Sequence, residues 1–278
     1  MSTLPKTTAL DLDLDGGWLT IWFNRPENRN ALSSEITGDL HQVLTAVRND
    51  RSIRGITLRG RGGVFCAGGD LKSFKAMTSG GATREDILAL SRHGADLMAL
   101  VNGMPQVTVV LIEGAAMAGG FGIACCCDVV ICEASARFAM TETMIGLSPA
   151  QIAPYVIQKL GYATGRRLML TAGRFDGAEA GQLGFADFVG TGAESLEVIE
   201  ARIKKDVLKC APGAIADTKA LILAMPELDR TERIEAAANN FADRMLSDEG
   251  KEGIASFNEK RKPVWAERSA SKETTQDG

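Results

Sequence analysis

The sequence predicts an α/β fold that is followed by a helical region. Apolar, strand-like runs alternate with segments of helical spacing through the first half of the chain, and two of these runs lead directly into glycine-rich loops. From about residue 148 onward the spacing is mainly helical. Because such alternation indicates crossover connections between strands of one sheet, we expect a core over 1–200, a helical region over 201–268 and a polar, disordered tail over 269–278.

The chain begins with a predicted hairpin and a predicted amphipathic helix. Two strand-like runs, at 8–14 and 18–23, flank a D-G-G sequence that is typical of a tight hairpin turn. After a second turn, either Ser33 or Ser34 can cap the next helix. The apolar residues that give this segment its helical spacing are Ile36, Leu40, Val43, Leu44 and Val47.

Two further strand-like runs are each followed by a glycine-rich loop. The run 53–59 leads into GRGGVFCAGGD, and the run 106–112 leads into AMAGGFG, which continues as a helix. Glycines let backbone N–H groups approach a ligand, and the N-terminus of a helix favours negative charge. The two loops either converge as an oxyanion hole or are only tight strand-to-helix turns. Neither loop fits a P-loop, a dinucleotide fingerprint or a nucleophile elbow.

Composition argues against several classes of protein. The chain has 278 residues, a net charge of −4 and 24% charged residues, so it lacks the basic excess that is typical of nucleic-acid binding. Glu113 interrupts the apolar stretch from Val107 to Ala118, so we expect no transmembrane helix and no membrane partner. The N-terminal segment has neither a basic region nor an apolar region, which predicts a cytoplasmic protein.

The six cysteines predict packing rather than chemistry. Cys125, Cys126 and Cys127 are consecutive, and consecutive residues of a helix point about 100° apart, so they cannot converge on one metal ion. The chain has only two histidines, so nitrogen ligands are scarce as well. We expect no metal site, with the thiols buried as small apolar groups in a reducing compartment.

Five stretches, in this order, resemble the crotonase, or enoyl-CoA hydratase/isomerase, superfamily. They are NRPENRNAL, FCAGGDLK, EGAAMAGGFGIACCCD, ARFAMTETMIGLSP and EGIASFNEKRKP, and the similarity runs from about Thr8 to Arg268. The resemblance implies the crotonase (ClpP-like) spiral fold of repeated ββα units with a C-terminal helical trimerisation region. It also implies an acyl-CoA substrate, no cofactor apart from the coenzyme A of that substrate, and a homotrimer or a dimer of trimers.

The same resemblance implies the catalytic roles. Gly69 and Gly119 match the two backbone N–H donors that hold the thioester oxygen and stabilise an enolate. Hydratases of the family commonly use two glutamates on opposite sides of one water. The second matches Glu142, whereas the first falls at Gly122, and no nearby carboxylate is placed to substitute for it. We interpret the glycine as leaving room for a larger or acidic acyl tail, and we expect a Gly122→Glu variant to keep the fold.

Contacts to coenzyme A are implied in the same way. Ala67 matches a backbone carbonyl that reads the adenine, and Arg29 falls beside the entrance used by the CoA phosphates. Phe257 and Lys260 match tail residues that reach bound CoA, sometimes across a subunit boundary. The residues that the resemblance places around CoA or the acyl chain are Arg29, Ala31, Ala67, Gly68, Asp70, Leu71, Lys72, Met117, Gly120, Gly122, Leu147, Phe257 and Lys260.

Several functions are compatible with these residues. The site can hydrate a trans-2-enoyl-CoA, with Glu142 activating water and then returning the proton. It can also act as an enoyl-CoA delta-isomerase, which needs one base only. A non-catalytic CoA-ester-binding or scaffold protein is a third possibility, and the presence of Glu142 speaks against it. A hydrolase or decarboxylase on the same fold would use the same two backbone donors.

The segment MIGLSPAQIAPYVIQKLG refines the expected substrate. It is similar to the methylglutaconyl-CoA and isohexenylglutaconyl-CoA hydratase-like branch, whose members hydrate branched glutaconyl thioesters in leucine or acyclic-terpene breakdown. We therefore expect a hydratase that acts on a branched or glutaconyl-type acyl group. The terminal carboxylate of such a group would need a hydrogen-bonding partner, and Gln151 is a candidate.

Overall fold

The fold combines a six-stranded sheet with a three-stranded sheet, as a computed structural model describes it for residues 4–266. The strands are β1 Leu10–Asp15, β2 Trp18–Phe23, β3 Gly55–Gly60, β4 Val107–Ile112, β5 Ala115–Met117, β6 Val129–Glu133, β7 Arg137–Ala139, β8 Phe175–Asp176 and β9 Phe188–Gly190. The helices are α1 Ser34–Val47, α2 Leu71–Ser79, α3 Arg84–Asn102, α4 Gly119–Cys126, α5 Ala153–Thr171, α6 Gly177–Gln182, α7 Ala193–Lys209, α8 Pro212–Ala224, α9 Arg230–Leu246 and α10 Asp248–Asn258. The predicted tail at 269–278 lies outside the described residues.

The direction of the strands decides where the glycine loops emerge. The large sheet has the order β1–β2–β3–β4–β6–β9, with β1 antiparallel to β2 and all other neighbours parallel. In the small sheet β5 is parallel to β7, and β7 is antiparallel to β8. The segments β4–β5–α4 and β6–β7–α5 are ββα units of the expected kind. Because β3 and β4 are parallel neighbours, the loops that follow them leave the same edge of the large sheet.

The large sheet is covered on both faces. On one face α1 packs through its predicted apolar stripe, and Ser33 caps the helix by accepting a hydrogen bond from the Ile36 N–H at 3.5 Å. On the other face Leu196 and Val207 of α7 pack against Val109 of β4. A parallel strand that is buried on both faces favours apolar residues at nearly every position, which explains why Thr108 is the one polar residue of β4. Among the helices within residues 4–266, none combines the length and the apolar content that crossing a membrane requires.

Helix α7 carries the chain across the predicted boundary at 200/201 without a linker. Glu200, at the boundary itself, is buried and accepts a hydrogen bond from the Thr57 hydroxyl of β3 at 2.5 Å. Beyond it, α8 to α10 form the helical region, which the buried side chain of Arg54 ties to the sheet. The guanidinium of Arg54 donates to the carbonyls of Cys210 and Trp265. These contacts fix the C-terminal helices beside the residue that immediately precedes β3.

Five of the six cysteines are buried free thiols, as predicted. Burial raises the pKa of the Cys66 thiol and of the Cys127 thiol to about 12, so neither sulfur is a thiolate near neutral pH. Cys210, at the C-terminal end of α7, is exposed, and the expectation of burial is wrong for this residue. It is the C-cap residue of α7, and its thiol donates to the Asp206 carbonyl at 3.5 Å.

Candidate active site

The two glycine loops are joined edge to edge by backbone hydrogen bonds. The N–H of Cys66 donates to the Ala115 carbonyl at 3.1 Å, and the N–H of Met117 donates to the Cys66 carbonyl at 3.0 Å. The first loop thus runs parallel to β5 and extends the small sheet. As a result the two predicted donor residues are neighbours: a Cβ atom placed on Gly119 would lie 4.0 Å from the backbone nitrogen of Gly69.

The N–H groups of these two glycines are free. Within residues 4–266, neither the Gly69 nor the Gly119 N–H donates a hydrogen bond. Gly119 is the first residue of α4, where N–H groups have no partner inside the helix and the helix dipole is positive. The preceding residue, Ala118, has φ 45° and ψ −120°, a backbone conformation that residues with a side chain rarely adopt. Two free donors at such a turn can hold an oxygen atom that carries negative charge.

Glycine is required where the loops touch. Gly68 has φ +94°, and a Cβ there would lie 2.9 Å from the Met117 carbonyl oxygen. A Cβ on Gly120 would lie 2.6 Å from the Cβ of Cys66, well inside van der Waals contact. The close approach of the loops, and with it the spacing of the two donors, therefore depends on the absence of side chains at these two positions.

A buried asparagine that sequence analysis did not single out holds a third segment against the first loop. Asn30 is completely buried, and its amide donates to the Arg61 carbonyl at 2.9 Å and to the Val64 carbonyl at 2.7 Å. The Leu32 N–H next to it donates to the Gly68 carbonyl at 2.8 Å. The signal available in the sequence was only an asparagine inside the NRPENRNAL motif, which does not reveal a buried position.

Apolar side chains close over the two donors. The Leu32 Cδ1 atom lies 3.0 Å from the position that a Cβ on Gly119 would take, and the ring of Phe74 lies 2.9 Å from the corresponding position on Gly69. Neither residue was predicted to belong to the site. Because low polarity strengthens a hydrogen bond to a charged oxygen, Leu32 and Phe74 favour tight binding of such an oxygen.

The small sheet links the segment that carries Glu142 to the turn before Gly119. β7 pairs with β5 so that Ala139 is opposite Met117, and the Ala139 carbonyl accepts from the Ala118 N–H at 2.8 Å. Glu142 follows three residues later, at the start of a 3₁₀ turn over Glu142–Ile145. Its Oε2 atom is buried and has no hydrogen-bond partner within residues 4–266. Burial raises the pKa of the Glu142 carboxyl group above its usual value, which makes the carboxylate a better base.

The raised pKa of Glu142 predicts a pH-dependent effect of Glu142→Gln on stability. Burial disfavours the charged Glu142 carboxylate in the folded state, so the pKa of this group is higher in the folded protein than in the unfolded chain. The folded protein is therefore most stable below the unfolded pKa, where Glu142 is neutral in both states. It loses stability as the pH rises through the folded pKa and the buried group becomes charged. Glutamine stays neutral, so the variant should gain stability relative to the wild type between pH 4 and pH 7. Thermal unfolding of both proteins at equal concentration measures this, and an unchanged difference between the two pH values would contradict it.

The structure overturns our interpretation of Gly122. A Cβ atom at this position would lie 2.1 Å from Cγ2 and 2.7 Å from Cβ of Ile152, and 3.4 Å from Cε of Met98. The space that a side chain at position 122 would need is thus filled by Ile152, and the glycine leaves no vacant room. For the same reason a Gly122→Glu variant would have to displace Ile152, which argues against the expectation that it keeps the fold. Gly122 itself is buried beneath Ile152.

Most of the predicted CoA-contacting residues lie around the glycine loops. The Ala67 N–H donates to the Arg29 carbonyl at 3.0 Å, so Arg29 lies beside the first glycine loop. The Arg29 side chain is exposed. Asp70 caps α2, and hydrogen bonding from Ser73 lowers the pKa of its carboxyl group. The Asp70 side chain therefore has a structural role. The predicted CoA-contacting residues that lie in or beside the glycine loops are Ala31, Ala67, Gly68, Asp70, Leu71, Lys72, Met117 and Gly120. Leu147 follows the 3₁₀ turn that begins at Glu142.

Within residues 4–266, no hydrogen bond or ion pair joins Phe257 or Lys260 to the glycine loops. Both belong to the segment that ends at Trp265, whose carbonyl is bound by Arg54 just before β3 begins. The glycine loop leaves the opposite end of that strand, after Gly60. Six strand residues span about 20 Å, and Phe257 is 84% exposed.

A separate cavity of about 560 Å³ lies at the other end of α4, between that helix and α8. Its lining includes Cys127, Lys159 and Lys219. Each lysine is paired with an aspartate, Lys159 with Asp187 and Lys219 with Asp128. Among the described residues that line this cavity, both lysines are thus already paired, and we place the candidate site at the glycine loops.

Two neighbouring free backbone donors, and a partly buried carboxyl group on a segment that is hydrogen-bonded to the same turn, are features suited to chemistry through an enolate. The family described as enoyl-CoA hydratase/isomerase matches residues 14–268. A putative enoyl-CoA hydratase of Thermus thermophilus is 34% identical over 248 residues, which cover 87% of this chain and 95% of that protein. The chain belongs to the enoyl-CoA hydratase/isomerase family.

Solved structures confirm the crotonase fold. AtuE of Pseudomonas aeruginosa superposes with a TM-score of 0.90 at 44% identity, covering 93% of this chain and 100% of that one. An enoyl-CoA hydratase/isomerase of Marinobacter aquaeolei superposes with a TM-score of 0.89 at 39% identity, with coverage of 93% and 99%. A human relative, 30% identical over 90% of this chain and 85% of its own length, is named as mitochondrial. The cytoplasmic location of this chain therefore stays a prediction.

Proposed function

We propose that the protein is an enoyl-CoA hydratase that adds water to a trans-2-enoyl-CoA carrying a branched or glutaconyl-type acyl group. The observation that carries this proposal is the buried Oε2 of Glu142, which has no hydrogen-bond partner within residues 4–266, together with the two free N–H donors of the glycine loops. A carboxylate oxygen without a hydrogen-bond partner is available to accept a proton, and the donors are available to an enolate oxygen. Family membership supports hydratase-type chemistry on an acyl-CoA.

Each step has a residue to perform it. The thioester oxygen accepts hydrogen bonds from the N–H groups of Gly69 and Gly119. Glu142 removes a proton from water while the hydroxyl oxygen bonds to C3, and the electron pair of the C2–C3 double bond moves toward the thioester oxygen as an enolate. The protonated Glu142 then delivers its proton to C2, which restores the thioester and the carboxylate.

The glutaconyl-type substrate is supported by residues at the start of α5. The segment from Met144 to Gly161 has the resemblance described above, and Gln151 lies within it. The Gln151 amide donates to the Ser91 hydroxyl of α3 at 2.7 Å and retains a second N–H. That N–H is a candidate partner for a carboxylate at the far end of the acyl chain.

Isomerisation of a 3-enoyl-CoA is the second candidate function. The surroundings of Gly122 favour it, because Ile152 and Met98 fill the position where a second acid–base group would stand. A shift of the double bond needs a single base that takes a proton from C4 or C2 and returns it at the other carbon. Glu142 alone satisfies that requirement.

A homotrimer or a dimer of trimers is also part of the proposal. The C-terminal helices expose large apolar side chains, which in a monomer would be an unusually apolar surface. They include Ile222, Ile234, Phe241, Leu246 and Phe257. A neighbouring subunit that covers this surface would at the same time receive Phe257 and Lys260 near its own site.

Turnover on paired substrates tests the function. The purified protein would be offered a trans-2-enoyl-CoA, a 3-enoyl-CoA and 3-methylglutaconyl-CoA, and the products would be identified by mass. We expect a gain of one water on the glutaconyl substrate, and a smaller gain on the linear 2-enoyl substrate. Conversion of the 3-enoyl thioester without a change in mass, and no hydration of the other two, would identify an isomerase instead.

A further inference from the structure

We propose that Ile152 is a specificity-determining residue, which forms the wall of the acyl site beside α4 and keeps that wall apolar. The inference rests on the proposed function, since it concerns the same site. Ile152 immediately precedes α5 and is 4% exposed. Its Cγ2 atom lies 2.1 Å from the position that a Cβ on Gly122 would take. The space next to α4 is therefore filled by the Ile152 side chain and not by a side chain at position 122.

The contact lies about one helical turn along α4 from the Gly119 donor. Gly119 and Gly122 are three residues apart on one helix, which corresponds to a rise of about 4.5 Å and nearly one turn. A thioester whose oxygen is held by the Gly119 N–H extends its C2 and C3 atoms over a similar length. The side chain that lies over Gly122 is therefore placed to meet a substituent on C3.

Neighbouring helices hold Ile152 in place. Its carbonyl accepts a hydrogen bond from the Val156 N–H at 3.0 Å, and the adjacent Gln151 is bound to Ser91 of α3. Met98, also on α3, lies 3.4 Å from the same Cβ position on Gly122. Contacts from α3, α4 and α5 thus fix the position of Ile152 in the folded protein.

The chemistry of the wall has a consequence for the substrate. Ile152 and Met98 carry no group that can donate or accept a proton, and Gly122 carries no side chain. A C3 substituent that lies against this wall is recognised by its size and apolar character alone. Glu142 is then the acid–base side chain that acts on C2 and C3.

Ile152→Ala tests this through the ratio of kcat/KM for two trans-2-enoyl-CoA substrates, one with a methyl group on C3 and one with a larger branched group. Removing three carbon atoms from the wall should shift the ratio at least about 10-fold toward the larger substrate. Ile36→Ala is the matched control, because Ile36 is a fully buried isoleucine of α1. It should lower stability and leave the ratio unchanged.

A second pair of variants tests the contact without reference to activity. Gly122→Ala should lower the melting temperature strongly, and Gly122→Ala combined with Ile152→Ala should recover much of that loss, since the two side chains compete for one volume. If the double variant is no more stable than Gly122→Ala, or if a folded Ile152→Ala or Ile152→Val protein keeps the wild-type ratio, the inference is wrong. Failure of the wild type to hydrate any substrate would instead reject the proposed function, and the stability cycle would still test the contact.

Discussion

Glu142→Gln should lose about 10²- to 10⁴-fold in kcat, the range associated with removing a general acid–base group. Glutamine cannot take a proton from water or deliver one to C2, and these two steps are the whole of the proton transfer in the proposed reaction. Because the free Oε2 atom makes no structural hydrogen bond within residues 4–266, the exchange should leave the site intact. Binding of a non-reacting acyl-CoA, measured by calorimetry, should therefore keep a Kd close to that of the wild type.

Glu27→Gln is the matched control, because Glu27 is an exposed glutamate of the turn that follows β2. It should match the wild type in both kcat and Kd. Unchanged turnover in Glu142→Gln would remove Glu142 from the mechanism. Loss of acyl-CoA binding in that variant would mean that the residue organises the site and does not act on the substrate.

Gly120→Ala has the second largest expected effect. The new Cβ would lie 2.6 Å from Cβ and 3.0 Å from the carbonyl oxygen of Cys66, so the two glycine loops must move apart. Separating the loops misplaces the N–H groups of Gly69 and Gly119, and the loss of one such donor costs about 10²- to 10³-fold in kcat. Overpacking of this kind should also lower the free energy of unfolding by about 1–3 kcal/mol. Steady-state kinetics and denaturant unfolding measure the two effects.

Gly38→Ala is the control for this substitution. Gly38 lies inside α1, and a Cβ there would meet no atom within 4 Å. Alanine in a helix should raise the free energy of unfolding by about 0.5–1 kcal/mol, with kcat unchanged. A Gly120→Ala protein that is destabilised yet fully active would show that the spacing of the loops does not control the chemistry.

Much of the fold could be predicted because its signals are local. The helical spacing of α1, the cap at Ser33 and the D-G-G turn between β1 and β2 each depend on residues that are close in sequence. The buried strand β4 is equally visible as a run of β-branched residues. The two glycine loops could be located for the same reason, although only the hydrogen bonds between them show that they converge.

The parts that could not be predicted depend on pairs that are distant in sequence. Thirty residues separate Gly122 from Ile152, and neither residue by itself indicates that one fills the space of the other. Phe257 and Lys260 match the family by motif, but the part of the fold that they reach depends on how the C-terminal helices pack, and Arg54 anchors those helices through carbonyls that are distant in sequence. Asn30 looks like an ordinary polar loop residue until its amide is seen between two carbonyls.

The two free N–H groups at Gly69 and Gly119 belong to the peptide backbone, and this has a consequence for how activity can be lost. A peptide donor has no pKa in the working range and is present whatever side chain follows it, so neither acid nor most single substitutions can delete it; among the natural residues only proline can. Inactivating changes at these loops must therefore act by displacement. They should occur among the residues that touch the loops, such as Cys66 or Leu32, as readily as at the donors themselves.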